Sequence, residues 1–289
     1  MKVYLLVGVL FFNLSVFGQD SEGTKINNNK DKKSTYVSFS AGYGFGIGIG
    51  SNRQIQQSPY SSKVSYNLHS YGKGFNISAA LGMMFSKNIG GEVNLGYHFG
   101  GPNRVNNIWS FDTSTVQRID ENATFRANYL IVNPNLVISA SSSKIVEPYV
   151  KLGPSVVFAK AKSSYENKFR FTDGIRGTQL IEWEWTGGFG IGFSTSAGIK
   201  IKTPTERVVF VMEVAYNSLS FDFKKGKMVD ISYYNMYSNQ IRTVSDNEVI
   251  MVSEVDEKAV QNPNKPSQVL NYKSNADNIS FNLGWYIKL

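Results

Sequence analysis

The sequence contains no cysteine and only two histidines, His69 and His98, among its 289 residues. Without cysteine there is no disulfide, no thiol nucleophile and no cysteine-ligated zinc. Neither histidine lies in an HExxH motif or another metal-binding spacing, so no metal site and no cofactor is predicted. Beyond residue 18, no apolar run approaches the roughly 18 residues that mark a membrane-spanning helix. The sequence therefore predicts no transmembrane helix.

The first 18 residues, MKVYLLVGVLFFNLSVFG, have the pattern of a secretory signal peptide. Lys2 supplies a short basic start, and the apolar stretch over 3–14 is shorter than a spanning helix needs. Residues 19–34 are polar and contain no aromatic residue, which predicts a disordered leader on the periplasmic side. The chain is therefore expected to be exported.

The formal net charge is +8, and the lysines are scattered along the chain. Proteins that bind nucleic acid concentrate their basic residues in one patch or helix. The scatter favours a solvated surface near acidic lipid headgroups and argues against a nucleic-acid partner.

Eight segments alternate apolar and polar residues with a period of two, which indicates β-strands with one apolar face. They cover about 36–49, 74–85, 91–99, 123–140, 148–161, 185–202, 207–223 and 280–289. The final segment, SFNLGWYIKL, carries its apolar face on Phe281, Leu283, Trp285, Ile287 and Leu289.

The connections between these segments are alternately short and long. SKNIG, SSSKIVE and TPTE are short, whereas 50–73, 100–122, 162–184 and 224–276 are long. This is the pattern of an eight-stranded antiparallel up-and-down transmembrane β-barrel, with short periplasmic turns and long extracellular loops. We expect the last strand to pair with the first, because an open edge cannot be tolerated in lipid. Residues 35–289 are thus predicted to form one barrel.

The signal peptide, the eight alternating segments and the terminal GWYIKL resemble the small outer-membrane β-barrel family of the OmpA and OmpX type, over about 35–289. The resemblance implies a location in the outer membrane, with outer-membrane lipid around the barrel. It also implies that the barrel-assembly machinery reads the C-terminal strand. In that family the strand usually ends in an aromatic residue, and here Leu289 takes that place.

In a barrel of eight strands the apolar set should face lipid and the polar set should fill the interior. Strand parity then places five charged residues inside: Glu92, Arg126, Lys151, Lys200 and Glu213. Buried charges need partners, and Glu213 with Lys151 or Lys200 is the expected pair. Such a network is either a structural feature of the interior or an ion gate.

Two prolines are predicted to face each other across one hairpin. Pro134 and Pro154 lie about ten residues on either side of SSSKIVE. Proline cannot donate to a ladder and favours bulges or edges. Because the alternation slips in phase at 133–135, a bulge is expected there.

No catalytic pattern emerges, so the protein is not expected to be an enzyme. A lipid-modifying site would need a histidine beside serine and a carboxylate; His98 lies inward on the third strand and His69 in a loop. We expect a structural or surface-interaction role, carried by the long loops and above all by residues 224–276. Tyrosines and charges of both signs in the loops suit an extracellular protein or glycan partner. A packing loop without a partner and a narrow gated channel remain the alternatives.

Overall fold

The computed structural model describes residues 34–47, 70–110, 116–140, 145–171, 174, 176–204, 207–235, 248–252, 267–270 and 274–289. The predicted signal peptide and all but the last residue of the predicted leader lie outside these ranges; Ser34 already begins the first strand. No helix in the described part of the chain is long and apolar enough to cross a membrane.

Eight strands form the barrel wall: β1 (Ser34–Gly46), β2 (Gly74–Met84), β3 (Ile89–Gly100), β5 (Val116–Ser139), β6 (Val146–Phe171), β7 (Arg176–Lys202), β8 (Val208–Asp222) and β13 (Asn278–Lys288). Five further strands of the described residues lie outside the closed ring: β4 (Asn103–Ser110), β9 (Lys225–Asn235), β10 (Glu248–Val252), β11 (Ser267–Leu270) and β12 (Ser274–Asn275).

The ring closes through antiparallel ladders in the order β1, β2, β3, β5, β6, β7, β8, β13 and back to β1. In the closing ladder Tyr36 lies opposite Lys288 and Gly46 opposite Asn278. The predicted pairing of the last strand with the first is therefore confirmed. Closure satisfies the backbone groups of both strands, as a bilayer demands.

Three tight connections, after β2, β5 and β7, lie at one end of the ring, as the sequence predicted. The opposite end differs from the prediction, because two of the long connections, 100–122 and 162–184, consist largely of hydrogen-bonded strand. β5, β6 and β7 have 24, 26 and 27 residues, far more than the 11 residues of β2. The predicted loops at 100–122 and 162–184 are thus mainly the upper halves of long hairpins.

Apolar side chains cover the outside of the wall. On β13 the outward residues Phe281, Leu283, Trp285 and Ile287 are all exposed, and Leu289 is 74% exposed. Alternation places the same kind of residue outward on the neighbouring strands, for example Phe39, Leu81, Val93, Leu152, Ile191 and Met212. An unbroken apolar surface of this extent suits lipid and not water.

The polarity of the two faces inverts part-way along β5 and β6. On β6 the last apolar outward residue is Phe158 and the next outward residue is Lys160; on β5 Leu130 gives way to Asn128. Leu130 pairs with Phe158, and Asn128 with Lys160, so the change occurs at one level of the sheet. The inner face becomes apolar at the same height, beginning with buried Val157. This level marks the outer boundary of the apolar belt.

The inversion also explains the phase slip that predicted a bulge at 133–135. Val132 pairs with Val156 and Leu136 with Leu152, so the register is the same on both sides and Pro134 does lie opposite Pro154. The bulge prediction is wrong, because the side chains alternate between the two faces without interruption. What changes is which of the two faces carries the apolar residues. The ladder opens between these pairs, where the two prolines have no N–H to donate.

Above the belt, the wall continues as a sheet that we call the extracellular extension. It comprises β4, residues 116–128 of β5, 160–171 of β6, 176–186 of β7, and β9, β10 and β11. A register shift separates it from the wall: Ala159 pairs with Gly188, but Ala161 pairs with Trp185. Gly187 occupies this bulge with φ of 71°, a left-handed conformation that favours glycine.

Candidate functional site

The barrel interior holds a buried ion triad. The Lys151 ammonium lies 2.9 Å from Glu92 Oε1 and 3.3 Å from Glu213 Oε2, so one cation on β6 bridges carboxylates from β3 and β8. The Glu92 side chain has no exposed surface. Three of the five charges selected from sequence parity thus come together in one cluster.

Tyrosines and asparagines complete the hydrogen bonding of both carboxylates. The Tyr36 hydroxyl donates to Glu92 Oε2 and the Tyr149 hydroxyl to Glu213 Oε2, each at 2.9 Å. The side-chain amides of Asn135 and Asn282 lie at 3.4 Å from the remaining oxygens of Glu92 and Glu213, respectively. Buried carboxylates with this many donors are held in one geometry.

Lys200 lies below the triad and pairs with Glu147, so of the two partners predicted for Glu213 the structure shows Lys151. Its ammonium contacts Glu147 Oε1 at 3.1 Å and donates to Ser139 Oγ at 3.0 Å. The sequence reasoning missed Glu147 because the strand was predicted to begin at Pro148. Extending the parity of Lys151 by two steps would have placed Glu147 on the inner face.

Aromatic rings separate the two lysines. Both ammonium groups lie over the Tyr286 ring, with Lys151 at 5.3 Å and Lys200 at 5.2 Å from its centroid. Tyr36 and Tyr149 pack against the same ring at 4.7 and 6.3 Å. We call Tyr36, Tyr149 and Tyr286 the lower aromatic cluster; its rings lie in the periplasmic half of the lumen, above a cavity of about 310 Å³ that Glu147, Lys200 and Lys202 help to line.

Arg126 was predicted to lie inside the barrel, and this prediction is wrong. It lies on β5 above the belt, exposed on the outer face, whereas its neighbours Phe125 and Ala127 are buried inside. The prediction assumed that the polar set faces inward over the whole strand. Above the lipid the opposite holds, since water lies outside and an apolar core lies within.

That core closes the outer end of the lumen. Tyr71, Tyr129, Leu219, Phe221 and Phe223 are at most 3% exposed and pack with alanines from β5 and β6. We call this group the upper plug. It draws on wall strands and on residues flanking the ring, which no local sequence pattern connects.

His98 lies just inside the plug. Its ring stacks on Tyr129 with 4.3 Å between centroids. Its Nδ1 lies 2.5 Å from Asn76 Oδ1 and its Nε2 lies 3.2 Å from the Lys73 carbonyl oxygen. Both ring nitrogens therefore have amide partners. His69 lies outside the described residues.

A cavity of about 90 Å³ remains between the plug and the lower aromatic cluster. Its wall is polar, with Asn94, Asn133, Ser194, Asn217 and Asn282 among the lining residues. The described residues thus line a small polar chamber with aromatic rings above and below it. In the part of the chain that the structure describes, no group of three or more His, Asp or Glu residues is arranged to hold a metal ion.

The inner face of the extracellular extension carries aromatic and amide side chains together. Trp183 and Trp185 stack with 5.5 Å between centroids. Farther from the belt on the same face, Asn167 donates to Gln179 at 3.3 Å and Gln179 donates to the Tyr233 hydroxyl at 2.7 Å, which links β6, β7 and β9. We call these last three residues the amide ladder.

Two comparisons with known proteins give no match: no protein-family model fits the chain, and no curated protein is similar in sequence. The solved structures that match the chain include the following two. A major outer membrane protein from Thermus thermophilus has 9% identity and a TM-score of 0.38, covering 89% of this chain and 100% of that one. Ail, the attachment invasion locus protein of Yersinia pestis, has 12% identity and a TM-score of 0.28, covering 90% of this chain and 99% of that one.

These scores are low, so the assignment rests on the molecule itself. The ring is closed, its outside is apolar over the height of the wall, and its inside is polar with paired charges. Only a closed barrel can cross a bilayer with strands, since all its backbone groups are satisfied internally. This chain is an eight-stranded outer-membrane β-barrel.

Proposed function

We propose that the protein is a closed surface-interaction barrel that presents its extracellular extension to a protein or glycan outside the cell. The observation that carries this proposal is the contrast between the two ends of the molecule. The upper plug and the lower aromatic cluster narrow the lumen at two levels, whereas the outer end is built up into a broad hydrogen-bonded sheet.

A sheet is better suited to recognition than a free loop of the same length. Its backbone is already ordered, so a partner does not have to order it on binding. The ladders between β6 and β7 and between β7 and β9 fix the side chains of the extension in rows. Aromatic rings held in this way offer rigid contact area at a low entropic cost.

The inner face of the extension has the chemistry of a polar ligand site. Amide groups and a tyrosine hydroxyl can bond to peptide or sugar hydroxyl groups, and the stacked tryptophans nearer the belt on the same face can pack against an apolar face.

The first test is deletion of residues 228–270, which removes most of β9 together with β10 and β11. Cells that display the wild-type and deleted proteins would be compared on arrays of glycans and extracellular proteins. We expect binding to be lost while the barrel keeps its heat-modifiable gel mobility. Unchanged binding, or no specific binding by the wild type, would reject the proposal.

Point variants separate the site from the scaffold. Gln179→Ala breaks the amide ladder, whereas Leu180→Ala changes the adjacent residue on the opposite face of β7. We expect binding to fall for Gln179→Ala and to persist for Leu180→Ala. Equal effects of the two changes would contradict an inner-face site.

A narrow gated channel is the second candidate, and the buried triad favours it. Lys151 lines the polar chamber and contacts two carboxylates, so an exchange of partners could open a path beside it. Planar-bilayer recording tests this function. Discrete conductance steps in the wild type that change in Glu213→Gln would support the channel, and a silent bilayer would reject it.

A further inference from the structure

Three neighbouring oxygen atoms on the inner face of the barrel have no hydrogen-bond partner among the described residues. They are Asn94 Oδ1 on β3, Asn133 Oδ1 on β5 and Ser155 Oγ on β6, and each of these atoms is buried. Asn94 lies directly opposite Asn133, and the constant register between β5 and β6 places Asn133 opposite Ser155. We call these three residues the oxygen row. Because native proteins leave few buried polar atoms without a partner, three in one row point to a bound ligand.

The oxygen row borders the polar chamber directly below the upper plug. Asn133 is 4% exposed and lines the chamber together with Asn94, and Ser155 is 1% exposed. On the same face, the next residues towards the plug are Gly96, Ile131 and Val157. None of these three has a side-chain group that can donate a hydrogen bond. A donor or a cation for the oxygens of the row must therefore come from the chamber.

The chamber has more negative than positive charge. Among the described residues, its lining contains the carboxylates of Glu92 and Glu213 and the ammonium of Lys151. With the imidazole in the lining uncharged, two carboxylates and one ammonium leave a net charge of −1. The pair of Lys200 and Glu147, beyond the lower aromatic cluster, adds no net charge. A net charge in the barrel interior is costly unless a counter-ion balances it.

The row lies close to one of these carboxylates. Glu92 is two residues before Asn94 on the same face of β3, a spacing of about 7 Å. Asn135 lies two residues after Asn133, and its amide approaches Glu92 Oε1 at 3.4 Å. A positive charge at the row would therefore interact with Glu92 across the protein interior, where such interactions are much stronger than in water.

We propose that the oxygen row binds one monovalent cation, Na⁺ or K⁺, with water molecules of the chamber as its remaining ligands. Neutral carbonyl oxygens replace the hydration shell of such ions in proteins. Water alone would satisfy the three oxygens but would leave the negative charge unbalanced. The chamber, with a volume of about 90 Å³, holds an ion and at least two waters at about 30 Å³ each. The bound cation stabilises the folded barrel from within, independently of any extracellular partner.

The donor set selects a monovalent over a divalent ion. Ca²⁺ and Mg²⁺ are bound mainly through carboxylates. Both carboxylates of the chamber are already engaged, because Lys151 contacts Glu92 and Glu213 and a tyrosine hydroxyl donates to each of them. The row itself supplies two amide oxygens and one hydroxyl, all of which are uncharged.

The test is reversible urea unfolding of the full barrel in phosphatidylcholine vesicles, with refolding in the same salt so that the cation is present when the barrel closes. Unfolding midpoints are compared in NaCl, KCl and N-methylglucamine chloride at equal ionic strength, since the organic cation is too large for the chamber. A cation at ten times its Kd raises the midpoint by roughly 0.7 M urea. We expect this rise in NaCl or KCl relative to N-methylglucamine chloride.

Variants of the row locate the effect. Asn133→Leu and Ser155→Ala each remove one oxygen, and tenfold weaker binding would reduce the difference between the salts to roughly 0.2 M. Asn133→Asp keeps an oxygen and adds a negative charge, so the difference should increase. The matched control is Asn217→Leu, which removes a chamber amide whose oxygen already accepts a hydrogen bond from Ser194 at 2.8 Å. The difference between the salts should persist in this control.

Three results would overturn the proposal. Equal midpoints in all three salts would show that water alone occupies the row. A difference between the salts that persists in both Asn133→Leu and Ser155→Ala would place the cation elsewhere. Loss of the difference in Asn217→Leu as well would show a general effect on the lumen instead of a site at the row. Each comparison is made between salts for the same variant, so a variant that is less stable overall still gives a valid result.

Discussion

Replacing Lys151 by methionine removes the only cation that contacts both Glu92 and Glu213 among the described residues. Methionine fills a similar volume, so the main change is the loss of charge. Breaking a buried pair by removing one partner costs about 3–5 kcal/mol, because the remaining charges are left without compensation. With a urea dependence of ~2 kcal/mol per molar, the unfolding midpoint should fall by roughly 2 M.

Urea unfolding of the barrel in lipid vesicles, followed by tryptophan fluorescence and gel mobility, measures this shift. The matched control is Lys202→Met at the periplasmic rim, where a lysine that is 25% exposed lies 3.4 Å from Glu147. A partly exposed pair of this kind is worth at most about 1 kcal/mol. A triple variant, Lys151→Met with Glu92→Gln and Glu213→Gln, should recover most of the loss since it leaves no uncompensated charge. If Lys151→Met unfolds within about 0.5 M of the wild type, the triad does not stabilise the barrel as argued.

Three further predictions concern other parts of the molecule. Leu283→Arg, at the middle of the outward face of β13, should lower the free energy of unfolding in vesicles by about 2–4 kcal/mol. Leu180→Arg on the extension should lower it by less than about 1 kcal/mol. Similar losses at both sites would contradict the placement of the belt. Phe221→Ala should destabilise the fold by about 3–5 kcal/mol in the same urea assay, since its ring is 1% exposed in the upper plug, and a neutral effect would argue against a packed plug. The hydrogen bond and charge of Lys162 lower the pKa of Glu184, so the stabilisation from this pair is present above pH 4.5 and is lost as the pH falls through the lowered pKa. The rate of amide hydrogen exchange in β6 and β7 of the extension should therefore rise on acidification. This rise should be smaller in Glu184→Gln, which has no carboxylate to protonate at this position.

Much of the wall could be predicted from sequence, because a strand between lipid and a filled lumen must alternate. The eight segments, the three tight turns and the closure of the last strand on the first all follow from period two and the intolerance of lipid for an open edge. The same parity selected Glu92, Lys151, Lys200 and Glu213, which the structure places inside the barrel. It failed for Arg126, where the solvent outside the strand is water.

Partners within the interior were harder to predict. Parity predicts that a side chain points inward. Its depth in the lumen, and the strand whose side chains it contacts there, depend on the stagger of all the strands around the ring. Lys151 thus contacts two carboxylates that lie 59 and 62 residues away in sequence. Glu147 was excluded by an error of two residues in the start of a strand. Nothing in the sequence predicted that the tyrosines of the lower aromatic cluster pack together, because their only shared feature is a position on the polar face of their strands.

The sequence by itself determined that the chain forms a closed barrel and which residues face lipid, since that choice is local to each strand and repeats every second residue. Only the tertiary structure decided where the lipid ends. That level depends on which residues of β5, β6 and β7 lie side by side, and on the apolar residues from several strands that form the upper plug. It also decided that two predicted loops are largely sheet. Above the belt, the ladder hydrogen bonds persist while the pattern of polarity that identifies a lipid-facing strand is reversed.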